Sequence, residues 1–163
     1  AKAKAGSEKA VIDACPEALV LRIPPVYGPG SKGSFRALVG AVQKGWPLPF
    51  GMVQAKRSYL FVNTLHSAVQ FLLSANKAGI WNISDDHDIA LPELINAIGE
   101  ACGRRARLFS LPEGMLRVAL ALRPGLYEKI AGEFTLDVSR QKQGGFTPPF
   151  SLEAALLQTL LPA

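Results

Sequence analysis

The sequence predicts an α/β fold that contains only part of a parallel sheet. A short apolar run at 18–23 lacks the alternation of a strand with one exposed face, so we expect a strand buried on both faces. Other short apolar runs follow along the chain and are separated by segments with helical spacing. These strands are too few for a complete doubly wound sheet.

The run at 18–23 is the strand around which the other predicted elements are arranged. Pro24 and Pro25 end it, because proline has no amide proton for a sheet hydrogen bond. The sequence Tyr27-Gly-Pro-Gly30 then predicts a rigid loop at the carboxyl end of the strand. Ligands bind at that edge in open α/β sheets, so we place the candidate site there.

The remaining elements follow from apolar spacing and turn residues. The first helix is predicted at 2–14 without a capping residue before it, which indicates a chain cut from something longer. A second helix is predicted at 34–44 and stops at Gly45. We expect further strands at 57–62, 79–84, 107–111 and 135–138, and further helices at 65–73, 92–102, 113–122 and after the capping residue Ser151.

Composition limits the class of protein. The hydrophobic content of 48% is ample for a core, and the formal charge of +5 fits either an anionic partner or a solvated basic surface. Cys15 and Cys102 lack the spacing of metal ligands, which favours reduced thiols and a cytoplasmic chain. No apolar run is long enough for a membrane span, and the lysine-rich start lacks the apolar core of a signal peptide.

Residue chemistry alone identifies little. The sequence has no glycine-rich phosphate loop, no Ser-His-Asp grouping and no metal cluster. We expect His66 at the edge of the core and His87 on the surface. Asp85, Asp86 and Asp88 fit either a metal site or an acidic turn before a helix, and we favour the turn.

Five segments, taken together and in this order, carry a family resemblance. They are Arg-Ile-Pro-Pro-Val-Tyr-Gly-Pro-Gly (22–30), Pro-Leu-Pro-Phe-Gly (47–51), Arg-Ser-Tyr-Leu-Phe-Val-Asn-Thr-Leu (57–65), Trp-Asn-Ile-Ser-Asp (81–85) and Glu-Leu-Ile (93–95). The series resembles the C-terminal half of an extended short-chain dehydrogenase/reductase of the NAD-dependent epimerase/dehydratase family. The similarity is greatest to the branch of UDP-glucose 4-epimerases and of the epimerases and 4-ketoreductases of surface-polysaccharide synthesis.

The resemblance implies the end of a Rossmann-like fold without its dinucleotide-binding half. Residues 1–30 would be a remnant of the Rossmann-like domain. Residues 31–163 would be mostly a small α/β substrate-binding region, with 79–84 returning to the main sheet as one of its last strands.

The resemblance also implies a catalytic lysine. The family's Tyr-x-x-x-Lys pattern places the lysine at Lys4, and its tyrosine would be the residue immediately before Ala1. A phenol with a pKa of ~10 is a poor base at neutral pH, and an adjacent ammonium favours the phenolate. Lys4, Ile23, Pro24 and Pro25 would bind NAD or NADP in the intact protein, and we expect no cofactor on this part alone.

Other positions that match the family's segments imply which residues would bind the substrate. Leu48 and Phe50 would lie along the nucleobase of a UDP-sugar, although packing within the cap is an equally good interpretation. Arg57 would grip the pyrophosphate, because a planar guanidinium suits bidentate contact with phosphate. Lys32 and Phe35 would line the sugar or diphosphate. No metal ligand is implied.

Three functions remain open at this stage. The first is a sugar-nucleotide epimerase, dehydratase or 4-ketoreductase, and Pro25, where many members have asparagine, favours its surface-polysaccharide branch. The second is a reductase of a non-nucleotide alcohol, which would not need Arg57 or Phe50. The third is a basic interaction module, but the basic residues are scattered along the sequence and show no nucleic-acid signature. We expect the intact protein to be a homodimer and this part to be inactive and prone to self-association.

Overall fold

The computed structural model describes residues 2–121, 127–128 and 132–160, with side chains described from residue 6 onward. Its helices are α1 (Lys2–Ala14), α2 (Gly33–Gln43), α3 (Val62–Ser74), α4 (Leu91–Ala101), α5 (Glu113–Leu120), α6 (Ser139–Gln143) and α7 (Leu152–Leu160). Its strands are β1 (Leu19–Arg22), β2 (Val26–Tyr27), β3 (Lys56–Ser58), β4 (Leu60–Phe61), β5 (Gly79–Asn82) and β6 (Asp88–Ala90).

The strands form three short pairs. β1 lies parallel to β5, β2 lies parallel to β4, and β3 runs antiparallel to β6. Parallel pairs joined by helices are the signature of an α/β fold. The predicted fold class is therefore confirmed, with the parallel sheet reduced to short pieces.

The first strand, which we expect to be buried on both faces in an intact protein, is half-buried within the described residues. Leu19 and Leu21 are half-buried and pack on hydrophobic side chains beneath them, whereas Arg22 at the end of β1 is exposed. Within the described residues β1 pairs only with β5, so its second edge is unpaired. Val20, on the face opposite Leu19 and Leu21, is also half-buried.

The predicted helices agree closely with the structure. α2 ends at Gln43, and Gly45 takes a φ of 69°, a left-handed conformation that glycine adopts without strain. Ser151 caps α7 as expected, since its Oγ accepts the amide proton of Ala154 at 3.2 Å. In the predicted helix 113–122, residue 122 lies outside the described residues.

Three of the predicted strands differ. The segment 57–62 divides into β3 and β4 around Tyr59, and α3 already begins at Val62. The segment 107–111 makes only isolated bridges, from Leu108 to Leu48 and from Ser110 to Phe50. The segment 135–138 belongs to no strand. Segment 57–62 pairs with two different strands, β6 and β2, so its hydrogen bonding is divided into two short ladders.

Hydrophobic side chains collect in two cores. The first core joins α2, α4 and α7, with Leu94, Ile95, Ile98 and Leu156 almost fully buried. The second core lies between α3 and the β1–β5 pair and contains Leu72. Each core fixes one side of the β2–β4 pair, which carries the candidate site.

The short helix α6 fastens the C-terminal segment to β5. Arg140 donates through Nη1 to the carbonyl of Ile80 at 2.6 Å and through Nη2 to the carbonyl of Ala78 at 3.2 Å. Its guanidinium also lies 4.5 Å from the ring centroid of Trp81. Asn82 Nδ2 donates to the carbonyl of Asp137 at 2.7 Å. These contacts hold the 137–144 segment along β5.

Candidate functional site

A cleft of about 580 Å³ opens at the carboxyl end of β2, between α2 and the extended segment that follows α2. Pro25, Lys32, Phe35, Leu48 and Phe50, five of the residues singled out from the sequence, all line it. They come from three separate stretches of chain. The fold thus brings most of the predicted substrate-binding residues to one place, while their roles stay predictions.

Aromatic rings form the floor and one wall of the cleft. Tyr27 is almost completely buried, and its ring stacks on Phe35 with centroids 5.0 Å apart and planes at 30°. Tyr59, a further lining residue, meets the edge of Tyr27 with centroids 6.5 Å apart. Such surfaces are suited to flat, apolar parts of a ligand.

The start of α2 gives the cleft an electropositive part. Lys32 is exposed and is the N-cap residue of α2, and no side chain caps the first turn of this helix. Gly33 and Ser34, the first helical residues, line the cleft. Uncapped amide protons and the positive end of the helix dipole favour an anion at this position.

The loop before α2 is fixed by local contacts. Gly28 has a φ of 151°, and a Cβ at this position would collide with Val62 Cγ1. The Ser31 hydroxyl donates to the Gly28 carbonyl at 2.6 Å and accepts the Gly28 amide proton at 2.7 Å. The loop therefore holds the start of α2, and Lys32 with it, in a defined position at the cleft.

Arg57 does not line this cleft. Its Nη1 donates to the carbonyl of Gly132 at 2.5 Å and of Glu128 at 3.3 Å, and its guanidinium lies 5.7 Å from the ring centroid of Phe134. It stays close to the cleft through Tyr59. Burial raises the pKa of the Tyr59 phenol, and the nearby Arg57 charge acts in the opposite direction.

The predicted catalytic lysine lies on α1, and its side chain is outside the described part of the structure. Glu8 and Arg22 form an ion pair at 2.6 Å, which sets α1 beside the carboxyl end of β1. Lys4 precedes Glu8 by about one helical turn, so its backbone lies on the same face of α1 and beyond that end of the strand. Ile23 and Pro24, exposed and buried respectively, follow the same strand end.

Asp85 lies between β5 and β6, in the acidic segment predicted as a turn, and its side chain is buried. Its Oδ2 accepts the amide proton of Phe61 at 2.9 Å, immediately before α3, whose own N-cap residue offers no side-chain acceptor. The buried hydroxyls of Thr64 and Tyr27 interact with the same carboxyl, and both lower its pKa against the effect of burial. A carboxylate from a distant loop thus caps α3 behind the floor of the cleft.

The other acidic and histidine residues also differ from expectation. Asp88 begins β6 and accepts a hydrogen bond from Ser58 at 2.5 Å, and only Asp86 remains in an exposed turn. His66 is exposed rather than at the edge of the core. Within the described ranges, no group of three His, Cys, Asp or Glu side chains is arranged to hold a metal ion.

The buried carboxyl of Asp85 predicts a pH-dependent stability. Burial raises its pKa, while the hydrogen bond from the Phe61 amide opposes this rise. The folded state therefore binds a proton on Asp85 more tightly than the unfolded state does. This tighter binding stabilises the fold fully below the unfolded pKa of Asp85, and the stabilisation is lost as pH rises through the folded pKa. We expect wild type to lose stability relative to Asp85→Asn on going from acidic to neutral pH. Urea unfolding at several pH values measures this, and parallel pH profiles would contradict it.

Sequence reasoning missed Tyr27 and Tyr59 as lining residues. Side chains along segment 57–60 alternate between two sides, and Ser58 and Leu60 are fully buried on one of them. The signal for Tyr59 was its position on the other side, together with Arg57. The signal for Tyr27 was its position at the end of β2, directly before the loop that precedes α2. Tyr27 was interpreted only as part of the loop at the candidate site, and Tyr59 only as part of a strand, so neither was recognised as a lining residue.

The fold is that of the NAD-dependent epimerases and related short-chain dehydrogenase/reductases. UDP-glucose 4-epimerase from Thermotoga maritima, solved with UDP-glucose, matches at a TM-score of 0.66 and 22% identity over 96% of this chain and 50% of its own. A human epimerase family protein, solved with NADPH, matches at a TM-score of 0.69 and 20% identity over 86% of this chain and 47% of its own.

Sequence comparison points to the same family. UDP-glucose 4-epimerase from Vibrio cholerae is 29% identical over 166 residues, which cover 96% of this chain and 51% of the relative. No family model matches the chain. The chain is homologous to UDP-glucose 4-epimerase, and the resemblance to the NAD-dependent epimerase/dehydratase family is confirmed. It spans about half the length of the relatives it matches.

Proposed function

We propose that this chain is the substrate-binding part of an NAD-dependent epimerase, dehydratase or 4-ketoreductase that acts on a UDP-sugar. Residues 31–163 form most of the substrate-binding region, 79–84 return to the main sheet, and 1–30 belong to the Rossmann-like domain. The proposal includes a cytoplasmic, homodimeric enzyme of surface-polysaccharide synthesis. Among the described residues, no helix is both long and apolar enough to cross a membrane.

The observation that carries this proposal is the combination of aromatic walls and an electropositive part in one cleft. A nucleoside diphosphate sugar has a flat base, which binds to apolar and aromatic side chains, and two phosphates, which bind to positive charge. Phe50 and Leu48 provide an apolar surface for the base, and Lys32 with the first turn of α2 provides the electropositive part. Phe35 lies between these two regions at the start of α2.

The residues that follow β1 are suited to contact the nicotinamide ring of a cofactor. Pro24 and Pro25 lack amide protons, so a planar ring can lie against this backbone without leaving a donor unpaired. In this proposal the ammonium of Lys4 binds ribose hydroxyls and favours ionisation of a neighbouring phenol. The cofactor, when bound, accepts or returns hydride. The described residues contain no glycine-rich phosphate loop.

One observation favours the second candidate, a reductase of a non-nucleotide alcohol. Arg57 donates to the carbonyls of Glu128 and Gly132 and lies outside the cleft lining. An apolar alcohol would need the aromatic walls but no phosphate-binding arginine. Comparing uridine diphosphate with uridine separates the two functions, because only the first function gives the phosphates a role in binding.

Calorimetric titration of UDP into this chain tests the proposal. Phe50→Ala is expected to weaken UDP binding about tenfold, because an aromatic contact with the base is lost. Lys32→Gln is expected to weaken UDP about fivefold and uridine hardly at all. Lys77→Gln is the matched control, since it removes the same charge away from the cleft. Equal affinities for UDP and uridine, or none for either in folded protein, would contradict the proposal.

A further inference from the structure

Two irregular segments, 44–52 and 103–110, form a basic aromatic surface outside the cleft. They contribute four basic residues, Lys44, Arg104, Arg105 and Arg107, and neither segment contains an acidic residue. They also contribute three large exposed apolar side chains, those of Trp46, Met52 and Phe109. The whole chain has a formal charge of only +5, so the positive charge is concentrated here.

Backbone hydrogen bonds hold the two segments side by side. The Leu48 amide donates to the carbonyl of Arg107 at 2.8 Å, and the Phe109 amide donates to the carbonyl of Leu48 at 3.0 Å. Leu108 packs against the first core. Because successive side chains in extended chain point to opposite sides, Arg107 and Phe109 lie together on the outer side.

One cation lies over the exposed indole, and a second cation contacts the end of α2 next to it. Lys44 Nζ lies 5.2 Å from the ring centroid of Trp46, and Arg104 Nη1 donates to the carbonyl of Gln43 at 2.5 Å. Trp46 is nevertheless 58% exposed and Phe109 is 44% exposed. Residues that are separated by more than fifty positions in the sequence are thus neighbours, which corrects the view that the basic residues are merely scattered.

We propose that this surface binds the face of a bilayer that contains anionic phospholipids. Exposed tryptophan and phenylalanine side chains enter the boundary between headgroups and acyl chains, while lysine and arginine contact the lipid phosphates. The exposed side chains of Met52 and Trp46 are suited to the apolar region of the bilayer, which lies below the negatively charged headgroups. A single-stranded nucleic acid is a poorer match, because Met52 gains nothing from phosphate and Lys44 covers one face of the indole that a base would stack on.

The surface and the cleft share a segment but use different side chains. Leu48 and Phe50 line the cleft, whereas Trp46 and Met52 are exposed outside it. Substitution of the exposed residues therefore leaves the cleft lining intact. Loss of vesicle binding and loss of UDP binding are consequently separable results.

The test is co-sedimentation of this chain with vesicles of phosphatidylcholine, with and without phosphatidylserine. We expect binding only when phosphatidylserine is present. The side chains of Arg105 and Arg107 make no hydrogen bond or ion pair within the described residues, so replacing them should leave the fold intact. Arg105→Gln/Arg107→Gln is expected to lower the partition coefficient roughly 25-fold, about fivefold for each basic side chain. Trp46→Ala is expected to lower it about tenfold.

The control variant is Lys9→Gln/Lys77→Gln, which removes the same charge from α1 and from the loop after α3 and should bind vesicles like wild type. Melting curves of all variants check that each is folded. If the control pair lowered the partition coefficient as much as Arg105→Gln/Arg107→Gln does, the effect would depend on net charge alone, and the proposal would be overturned. It is also overturned if vesicles are not bound, or if a single-stranded oligonucleotide is bound and vesicles are not.

Discussion

Arg57→Ala is expected to weaken UDP binding by roughly 10- to 150-fold. Hydrogen bonds between charged partners in a partly desolvated site contribute about 1.5–3 kcal/mol, which corresponds to that range of affinity. Both carbonyl contacts of Arg57 use Nη1, and its side chain also interacts with Tyr59, which lines the cleft. Arg57→Lys should recover only part of the affinity, because an ammonium cannot make a forked contact. Calorimetry with UDP beside melting temperatures measures both effects.

The position of Arg57 requires a control for a purely structural role. The same side chain fastens the segment around Gly132 and Phe134 to β3. Phe134→Ala removes the ring beneath the guanidinium and leaves Arg57 in place. If Arg57 acts only by holding this segment, Phe134→Ala should lower UDP affinity in proportion to its loss of stability. Unchanged UDP affinity in folded Arg57→Ala protein would instead favour the non-nucleotide alcohol.

The helices could be predicted from the sequence because their apolar spacing reflects the face that is buried. In α4, Leu94, Ile95 and Ile98 follow a period of 3.6 residues, and all three enter the first core. The strands show no comparable periodic pattern of apolar residues in the sequence. Nothing local in Arg57-Ser-Tyr-Leu-Phe61 reveals that hydrogen bonding changes partner at Tyr59, because the partners, β6 and β2, are distant in sequence.

The candidate site was predicted in part for a related reason. The family resemblance supplied Lys32, Phe35, Leu48 and Phe50, and the fold brings them together in one cleft. The role of Asp85 could not be predicted, because it depends on an amide 24 positions earlier in the chain. A carboxylate in a run of acidic residues has the pattern of an exposed turn, and only the tertiary structure shows which one is buried.

Gln141→Ala is expected to lower the free energy of unfolding by about 2–4 kcal/mol, a large effect for one substitution. Gln141 is fully buried on α6. Its Oε1 accepts the Ser84 amide proton at 3.0 Å, and its Nε2 donates to the Ser84 carbonyl at 3.1 Å. Alanine leaves both buried backbone groups without partners, and each such group costs about 1–3 kcal/mol. Urea unfolding measures the loss, with the exposed Gln143→Ala on the same helix as a control.

Gln141→Glu tests whether the donor half of this pair matters. A carboxylate still accepts the Ser84 amide proton, but it cannot donate to the Ser84 carbonyl and is buried with its charge. The protonated carboxyl restores the donor, so the fold raises the pKa of the introduced group. Stability should therefore be nearly normal below the unfolded pKa of ~4.3 and fall as pH rises through the folded pKa. A variant as stable as wild type at neutral pH would show that the Nε2 hydrogen bond contributes nothing.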